Sequence, residues 1–475
     1  MDPMTNSQAR IAIIGGGISG LTAAHRLREL LPSAHLTILE AAPRPGGVLC
    51  TERRDGFLVE RAADMFTSKD PWALHLCRRI GLESELVGAN EAGRKAFIVH
   101  RGELVEVPQG FVLMRPTQLS AMLTTPLLSP LGKLRLMMEP LKRAKKDESD
   151  ESLASFVRRR MGQETFERIV QPLVGGIYTA DPERLSMAAT MPSFVEMERR
   201  HGSLIRAPQA TRSEKDASGA RYGMFVSLRE GMQQLVDRLV ERIGQDAFVC
   251  NAGVQSVQPA NDHEDGGRWR VRTMDDEWNV DAVIVTCRAP HAAQLFAELQ
   301  PALSDQLRAI EYASTAVVVM AVDDDQIGRP VQGFGFVAPL VEQRKILATS
   351  FASAKFPGRA PYGKTLVRVF IGGACQSELL EHDDHQLIEI ARHELRELIG
   401  LAGDPLFAEV VRWNEAMPQY HVGHLDRVAA IERSVASLPG LELAGNAYRG
   451  VGIPFCIRSA EQAAENVADV LCASG

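Results

Sequence analysis

Ile11-Ala12-Ile13-Ile14-Gly15-Gly16-Gly17-Ile18-Ser19-Gly20 opens the stretch that decides the fold, and Leu36-Thr37-Ile38-Leu39-Glu40 closes it. The first four apolar residues read as a buried strand, the glycines as a tight turn, Leu21 to Leu31 as a helix, and the second apolar run as another strand. Gly15, Gly17 and Gly20 give the G-x-G-x-x-G spacing of a dinucleotide-binding βαβ unit. Gly15 makes the turn, Gly17 lets the backbone approach a pyrophosphate, and Gly20 lets the helix pack closely. The helix N-terminus attracts phosphate through its dipole and orphan N–H groups. Gly16, Ile18 and Ser19 fill the same loop and are read with it as cofactor-binding. Glu40, about 20 positions further on, is placed to bind ribose hydroxyls, with Ala41 beside it.

Working outward, the 475 residues with 45% hydrophobic content exceed one ordinary core, so two or three lobes sharing one body are expected. The net charge of -7 argues against the concentrated basic face that a phosphate backbone needs, and no nucleic-acid partner is expected. The seven cysteines form no CxxC pair, which fits free, mostly core thiols in a reducing compartment and no metal site. Met1 to Arg10 is polar and runs straight into the first strand, so no leader is read there and a cytoplasmic location is expected. The most apolar run, Ala316 to Val322, is far below the ~20 residues of a spanning helix and reads as a buried strand.

Pro116 to Lys146 is rich in Leu and Met and has a basic end at Lys142, Arg143, Lys145 and Lys146. It reads as helical, and Glu151 to Val170 continues with helical spacing. Strands are read from Arg268 to Thr286, from Thr315 to Val322 and from Leu366 to Phe370. A helix from Asp384 to Ile399 leads to a last strand and helix. Ala260 to Gly267 is a polar loop.

Arg44-Pro45-Gly46-Gly47 resembles the second glycine doublet of the FAD-containing amine oxidase and phytoene desaturase superfamily. Phe57-Leu58-Val59-Glu60-Arg61-Ala62-Ala63-Asp64-Met65-Phe66 resembles the segment that passes beside the isoalloxazine ring in that superfamily. The resemblance implies cofactor contacts from Arg44, Gly46, Gly47, Ala62, Ala63, Asp64 and Met65. Ala62 stands where the superfamily has Gly, so a need for positive φ there would be compromised. No second G-x-G-x-x-G of comparable context occurs, so electrons are expected to come from the substrate and to pass on to O2.

Leu443-Ala444-Gly445-Asn446-Ala447-Tyr448-Arg449-Gly450-Val451-Gly452-Ile453-Pro454-Phe455-Cys456-Ile457 is similar to the motif of the oxygen-dependent protoporphyrinogen and coproporphyrinogen oxidases. Val174 to Pro182, His201 to Ile205, Gly333 to Pro339, Phe356-Pro357 and Gly372-Gly373 extend this similarity over nearly the whole chain. In the motif, Gly450 and Gly452 would let the backbone approach a flat ring. Pro454 would begin a helix whose N-terminus faces the flavin pyrimidine edge and raises its electron affinity. By carry-over, Val254 contacts the adenine end, Trp413 lies near the flavin, and Val451, Gly452 and Ile453 line its pyrimidine side.

This resemblance implies an α/β (α+β) fold with a Rossmann-like FAD-binding domain, a mixed-sheet substrate domain and a helical lobe. The FAD-binding domain is expected at 8–88, 222–300 and 408–475, the substrate domain at 89–110, 201–221 and 301–407, and the lobe at 111–200. The implied activity is oxidation of protoporphyrinogen IX or coproporphyrinogen III in haem biosynthesis by non-covalent FAD. Three cycles would each pass a hydride to flavin N5, with reoxidation by O2, and no protein nucleophile is needed. Phe334 and Val337 are the residues read as sandwiching the macrocycle.

A propionate-pairing arginine of some family members is replaced by Val112, and Arg115, Arg94 or Lys95 are the cations that could stand in. That leaves the choice of porphyrinogen open. The Pro116 to Lys146 segment reads equally as a peripheral membrane contact and as a lid on the pocket. A hand-over to a ferrochelatase and a homodimer are further expectations. His421 and His424 are read as structural or solvated. The alternatives are an amine oxidase or carotenoid desaturase of the same superfamily, or a non-catalytic FAD-binding protein.

Overall fold

The computed structural model describes residues 8–90, 95–207, 225–260, 267–329 and 332–474. Arg94 and the boundary expected between 221 and 222 lie outside the described residues. The βαβ stretch forms the centre of a five-stranded sheet in the order Phe248–Cys250, His35–Glu40, Arg10–Ile14, Ala282–Val285, Leu441–Leu443. Every neighbouring pair is parallel. Parallel strands are covered on both faces and therefore read as unbroken apolar runs. Ile11, Ile13, Ile38 and Ile284 pack under the helices Ile18–Leu30, Gln233–Ile243 and Ile453–Ser474. Ala12, Ile14, Leu39, Val283 and Val285 pack on the other face, against the helices Ala289–Leu295, Pro301–Arg308 and His424–Ala436.

A seven-stranded sheet follows the order Phe407–Pro418, Tyr312–Asp323, Lys364–Gly372, Ala348–Phe351, Gly335–Val337, Ala96–His100, Glu103–Glu106. It is mixed, because only Gly335–Val337 and Ala96–His100 pair in parallel within it. Alternation along these strands separates two faces. Val318, Met320, Val367 and Val369 lie under the helix Asp384–Ile399. A capping box at Asp383 starts that helix, and Gly400, at φ 68°, stops it. Val317, Val319 and Leu366 face the opposite way, toward Phe57 and Val59.

The region from Pro116 to Val170 is helical in shorter pieces than its periodicity suggests. Leu119–Thr124 and Pro130–Met137 are separate helices with Pro126 between them, and Leu153–Met161 ends at Gly162, whose φ is 97°. Proline removes a helix donor, and a left-handed residue ends a helix. The pieces are joined by a buried ion network. Arg160 and Glu139 are both 0% exposed. Arg160 Nε donates to Glu139 at 2.8 Å and Nη1 to Glu198 at 3.2 Å. The Leu204 N–H, at 3.0 Å, and the Ser203 hydroxyl complete the shell of Glu139.

The cysteines differ from expectation: Cys77 and Cys456 are buried, but Cys375 and Cys472 are exposed and the other three half-buried.

Removing one partner of a fully buried ion pair strands the other charge. Arg160→Ala is therefore expected to lower unfolding stability by about 3–5 kcal/mol. Urea titration checks this, and a loss below about 1 kcal/mol would show that the network carries little.

Candidate active site

Gly15 has φ +104° and donates its N–H to the Leu39 carbonyl at 2.9 Å, which folds the loop back over the sheet. A Cβ at Gly20 would stand 1.9 Å from the Gly15 carbonyl oxygen, so only glycine lets the helix begin there. Gly17, the helix N-cap, is different: its φ is -72° and an added Cβ would meet nothing within 4 Å. That open face lies at the end of the Ile18–Leu30 helix, beside Ser19, where N–H groups converge. The second doublet lies directly against the first. Gly46 N–H donates to Gly16 O at 2.8 Å, and a Cβ on Gly47 would be 3.2 Å from the Gly17 Cα.

Glu40 accepts from the Gly16 N–H at 2.6 Å and the Ala42 N–H at 2.8 Å, which fixes its carboxylate at the strand end. Val254 is buried near it, because the Ala252 N–H donates to Glu40 O at 2.8 Å and Gly253 lies beside Ala41. Arg44 turns inward and donates to the carbonyls of Pro45 at 3.0 Å and Gly47 at 3.2 Å. It shapes the glycine turn. The open glycine face, the converging N–H groups and the acid at the next strand end together fit a dinucleotide.

The 62–65 segment lies where the two sheets meet. Ala62 is outside the left-handed region, so its side chain causes no strain there. Trp413 donates its indole N–H to the Arg61 carbonyl at 2.9 Å. Arg368, from the seven-stranded sheet, donates to the Ala62 carbonyl and lies 3.3 Å from the Asp64 carboxylate. Lys355 Nζ reaches the same carboxylate at 3.2 Å. Burial pushes Asp64 up, but the two cations outweigh it and hold the group below its ordinary range. Glu60, 2% exposed, is pushed by burial to about 7, although the Met232 N–H at 2.7 Å and the Thr51 hydroxyl at 2.8 Å donate to it.

Tyr420 stacks on His424 at 4.0 Å, donates to the Asn446 carbonyl and accepts from the Gly450 N–H at 2.9 Å. His424 is fully buried, lowered by burial to about 4, and bonds the Tyr448 carbonyl at 2.9 Å. It is thus a support for the 445–452 loop. Gly450, at φ +136°, is required by its own chain: a Cβ would lie 2.5 Å from the Phe455 ring. Val451 and Gly452 are half-buried, and the last helix starts one residue before Pro454, at Ile453.

Phe334 and Val337 pack in different clusters. Phe334 is 3% exposed, in a cluster with Ala89 and Phe356 that Met65 packs against. Val337 is half-buried, pairs with Ala348, and lies 3.5 Å from where a Cβ on Gly176 would be, in the helix Gln171–Tyr178. Strand alternation sends the two to different surroundings. Of the substitute cations, Arg115 is buried and donates to the Ala207 carbonyl at 2.6 Å, and Lys95 pairs with Glu106 at 2.9 Å. Sequence reading missed Arg368, Lys355 and Tyr420. A signal existed for the first, since Leu366-Val367-Arg368-Val369-Phe370 sets one charge inside an apolar strand.

The Glu60 environment makes stability depend on pH. The folded protein holds this proton more tightly than an ordinary carboxyl at 4.5. Its stabilising contribution is complete below pH 4.5 and is lost as pH rises through about 7. The difference amounts to roughly 3 kcal/mol. Glu60→Gln should be near-neutral in acid and should gain on the parent by roughly that amount by pH 8. Paired thermal melts across this range test it, and a gap that stays constant with pH would refute a neutral buried carboxyl.

Residues 18–468 match the family model of the flavin containing amine oxidoreductases. The coproporphyrinogen III oxidase of Bacillus subtilis is 34% identical over 98% of this chain and 99% of its own length. That of Staphylococcus aureus is 32% identical over 96% of this chain and 98% of its own. A crystal structure from Exiguobacterium sp. 255-15, provisionally named a protoporphyrinogen oxidase, superposes with a TM-score of 0.85 at 31% identity, covering 98% of this chain and 99% of that one. With the glycine cradle and the C-terminal loop already in place, these similarities establish that the chain belongs to the flavin containing amine oxidoreductases, within the family of the coproporphyrinogen and protoporphyrinogen oxidases.

Proposed function

We propose that this protein binds FAD non-covalently and oxidises coproporphyrinogen III to coproporphyrin III, with O2 as acceptor. The observation that carries the reading is the open Gly17 face crossed by Gly46-Gly47, in a chain whose relatives include coproporphyrinogen III oxidases of nearly equal length. Six electrons and six protons leave the substrate in three rounds, each turning one O2 into one H2O2. A bound flavin supplies the two-electron acceptor for each round.

The residues of the chain bind and orient. The first-helix N–H groups and Glu40 hold the phosphates and a ribose. Val337, Ala348 and Phe370 stand side by side across three strands, half-buried, and offer an apolar plate to a macrocycle. The helix Gln171–Tyr178 covers the Val337 end, where it excludes water from the reacting face. Ring N–H protons leave by tautomerisation, so no side-chain base is assigned.

The helical lobe exposes Leu123, Leu131, Leu134 and Leu141 at 53%, 78%, 58% and 71%. Arg143 and Lys146 are exposed near them. This pairing favours a cytoplasmic protein resting on an anionic membrane surface, from which a ferrochelatase could take the product. Among the described residues no helix is long and apolar enough to cross a membrane.

Three outcomes are expected. Anaerobic mixing with coproporphyrinogen III should bleach the yellow protein, and porphyrin fluorescence should appear once O2 is admitted. Bleaching by protoporphyrinogen IX alone would change the substrate, and bleaching by neither would send the search to amines and carotenoids. Gly17→Val, at a backbone conformation any residue adopts, should fold with an unchanged melting temperature of the apoprotein yet purify with at least tenfold less flavin. The double variant Leu131→Glu, Leu141→Glu should release the protein from anionic vesicles in a sedimentation assay, and retention would remove the membrane reading.

A further inference from the structure

Arg368 is the least expected charge in the molecule. It is 1% exposed, and its neighbours Val367 and Val369 point away from it into the core under the helix Asp384–Ile399. A guanidinium in such a place is costly unless it is paired and bonded. Arg368 is only partly so: it donates to the Ala62 carbonyl and pairs with Asp64 at 3.3 Å, while its Nε finds no partner among the described residues.

The surroundings do not balance the charge. Lys355, 9% exposed, shares the Asp64 carboxylate, and Arg359, 1% exposed, spends its donors on Arg229 O, Ser227 Oγ and Leu228 O. Among the described residues of this cluster, three buried cations thus stand against two buried carboxylates, Asp64 and Glu60. Burial keeps Glu60 partly protonated at neutral pH, which widens the excess. On neighbouring strands, Ser350 stands opposite Arg368, and its hydroxyl is also buried without a partner among the described residues.

These groups lie under the segment that the proposed flavin site uses, and the inference rests on that reading. We propose that Arg368 is a positioning residue of the flavin site: it fixes the Ala62 carbonyl and, with Lys355, holds a net positive charge beneath residues 62–65. That charge favours the reduced, anionic form of the cofactor and so raises its reduction potential. A residue that only stapled the sheet to this segment would change stability and leave the potential alone.

The test is an anaerobic dye-equilibrium titration of the holoprotein, preceded by a count of flavin per chain. Arg368→Met should make reduction at least tenfold less favourable, about 30 mV for a two-electron couple. Arg368→Lys keeps the charge and should restore most of the shift. Lys355→Met, which leaves the bond to Ala62 in place, should move the potential the same way and serves if Arg368→Met does not fold. A reduction equilibrium constant within twofold of the parent's in Lys355→Met, or the same shift in Arg368→Lys as in Arg368→Met, would overturn the electrostatic role. A parent protein that purifies with no flavin would instead overturn the flavin reading, and this inference with it.

Discussion

The first helix can begin where it does because nothing but hydrogen occupies the Gly20 side-chain position, 1.9 Å of clearance being all that a Cβ would have from the Gly15 carbonyl oxygen. That approach aims the N–H groups of the helix across the loop and leaves the Gly17 face open. The Gly46 N–H then bonds the Gly16 carbonyl, so a second turn closes over the first. The remaining strands of the parallel sheet add on either side, and the last helix packs beside the first on one face. Residues more than 400 positions apart thereby come to a single cradle.

A second constraint couples this sheet to the mixed one. Asp64 would be costly to bury as a lone carboxylate, and its two cations come from the seven-stranded sheet and from the short helix Ala352–Lys355 next to it. The segment after Glu60 is therefore held from both sides: Ser227 Oγ donates to Asp64 O at 2.7 Å, and Trp413 bonds Arg61. In the proposed flavin site a fixed backbone here matters, because a reacting centre displaced by even ~1 Å loses much of its rate advantage.

The helical lobe solves a different problem. Its interior is apolar around Phe156, Ile169 and Met187, yet its first, middle and last parts meet at the buried Arg160 and Glu139. Such a pair contributes little net stability compared with apolar packing, but only one arrangement of the lobe satisfies it. The leucines it leaves outside are concentrated on two short helices and the turn after them.

By itself the sequence determined the dinucleotide unit, the buried strand Ala282–Val285 beside it and the long helix Asp384–Ile399, because each rests on local periodicity and glycine spacing. It also carried the family, through motifs spread along the chain. What it could not settle was which side chains face one another across the sheets. Phe334 and Val337 are three residues apart in one motif, yet strand alternation gives them different neighbours. Gly450, whose place in the motif implies room for a flat ring, is also required by its own chain, because a Cβ there would meet Phe455. Arg368, Lys355 and Asp64 lie about 300 positions apart at the extremes and carry no shared spacing. Only the tertiary structure brings them together, since a buried charge is answered by whatever the fold places within ~4 Å of it.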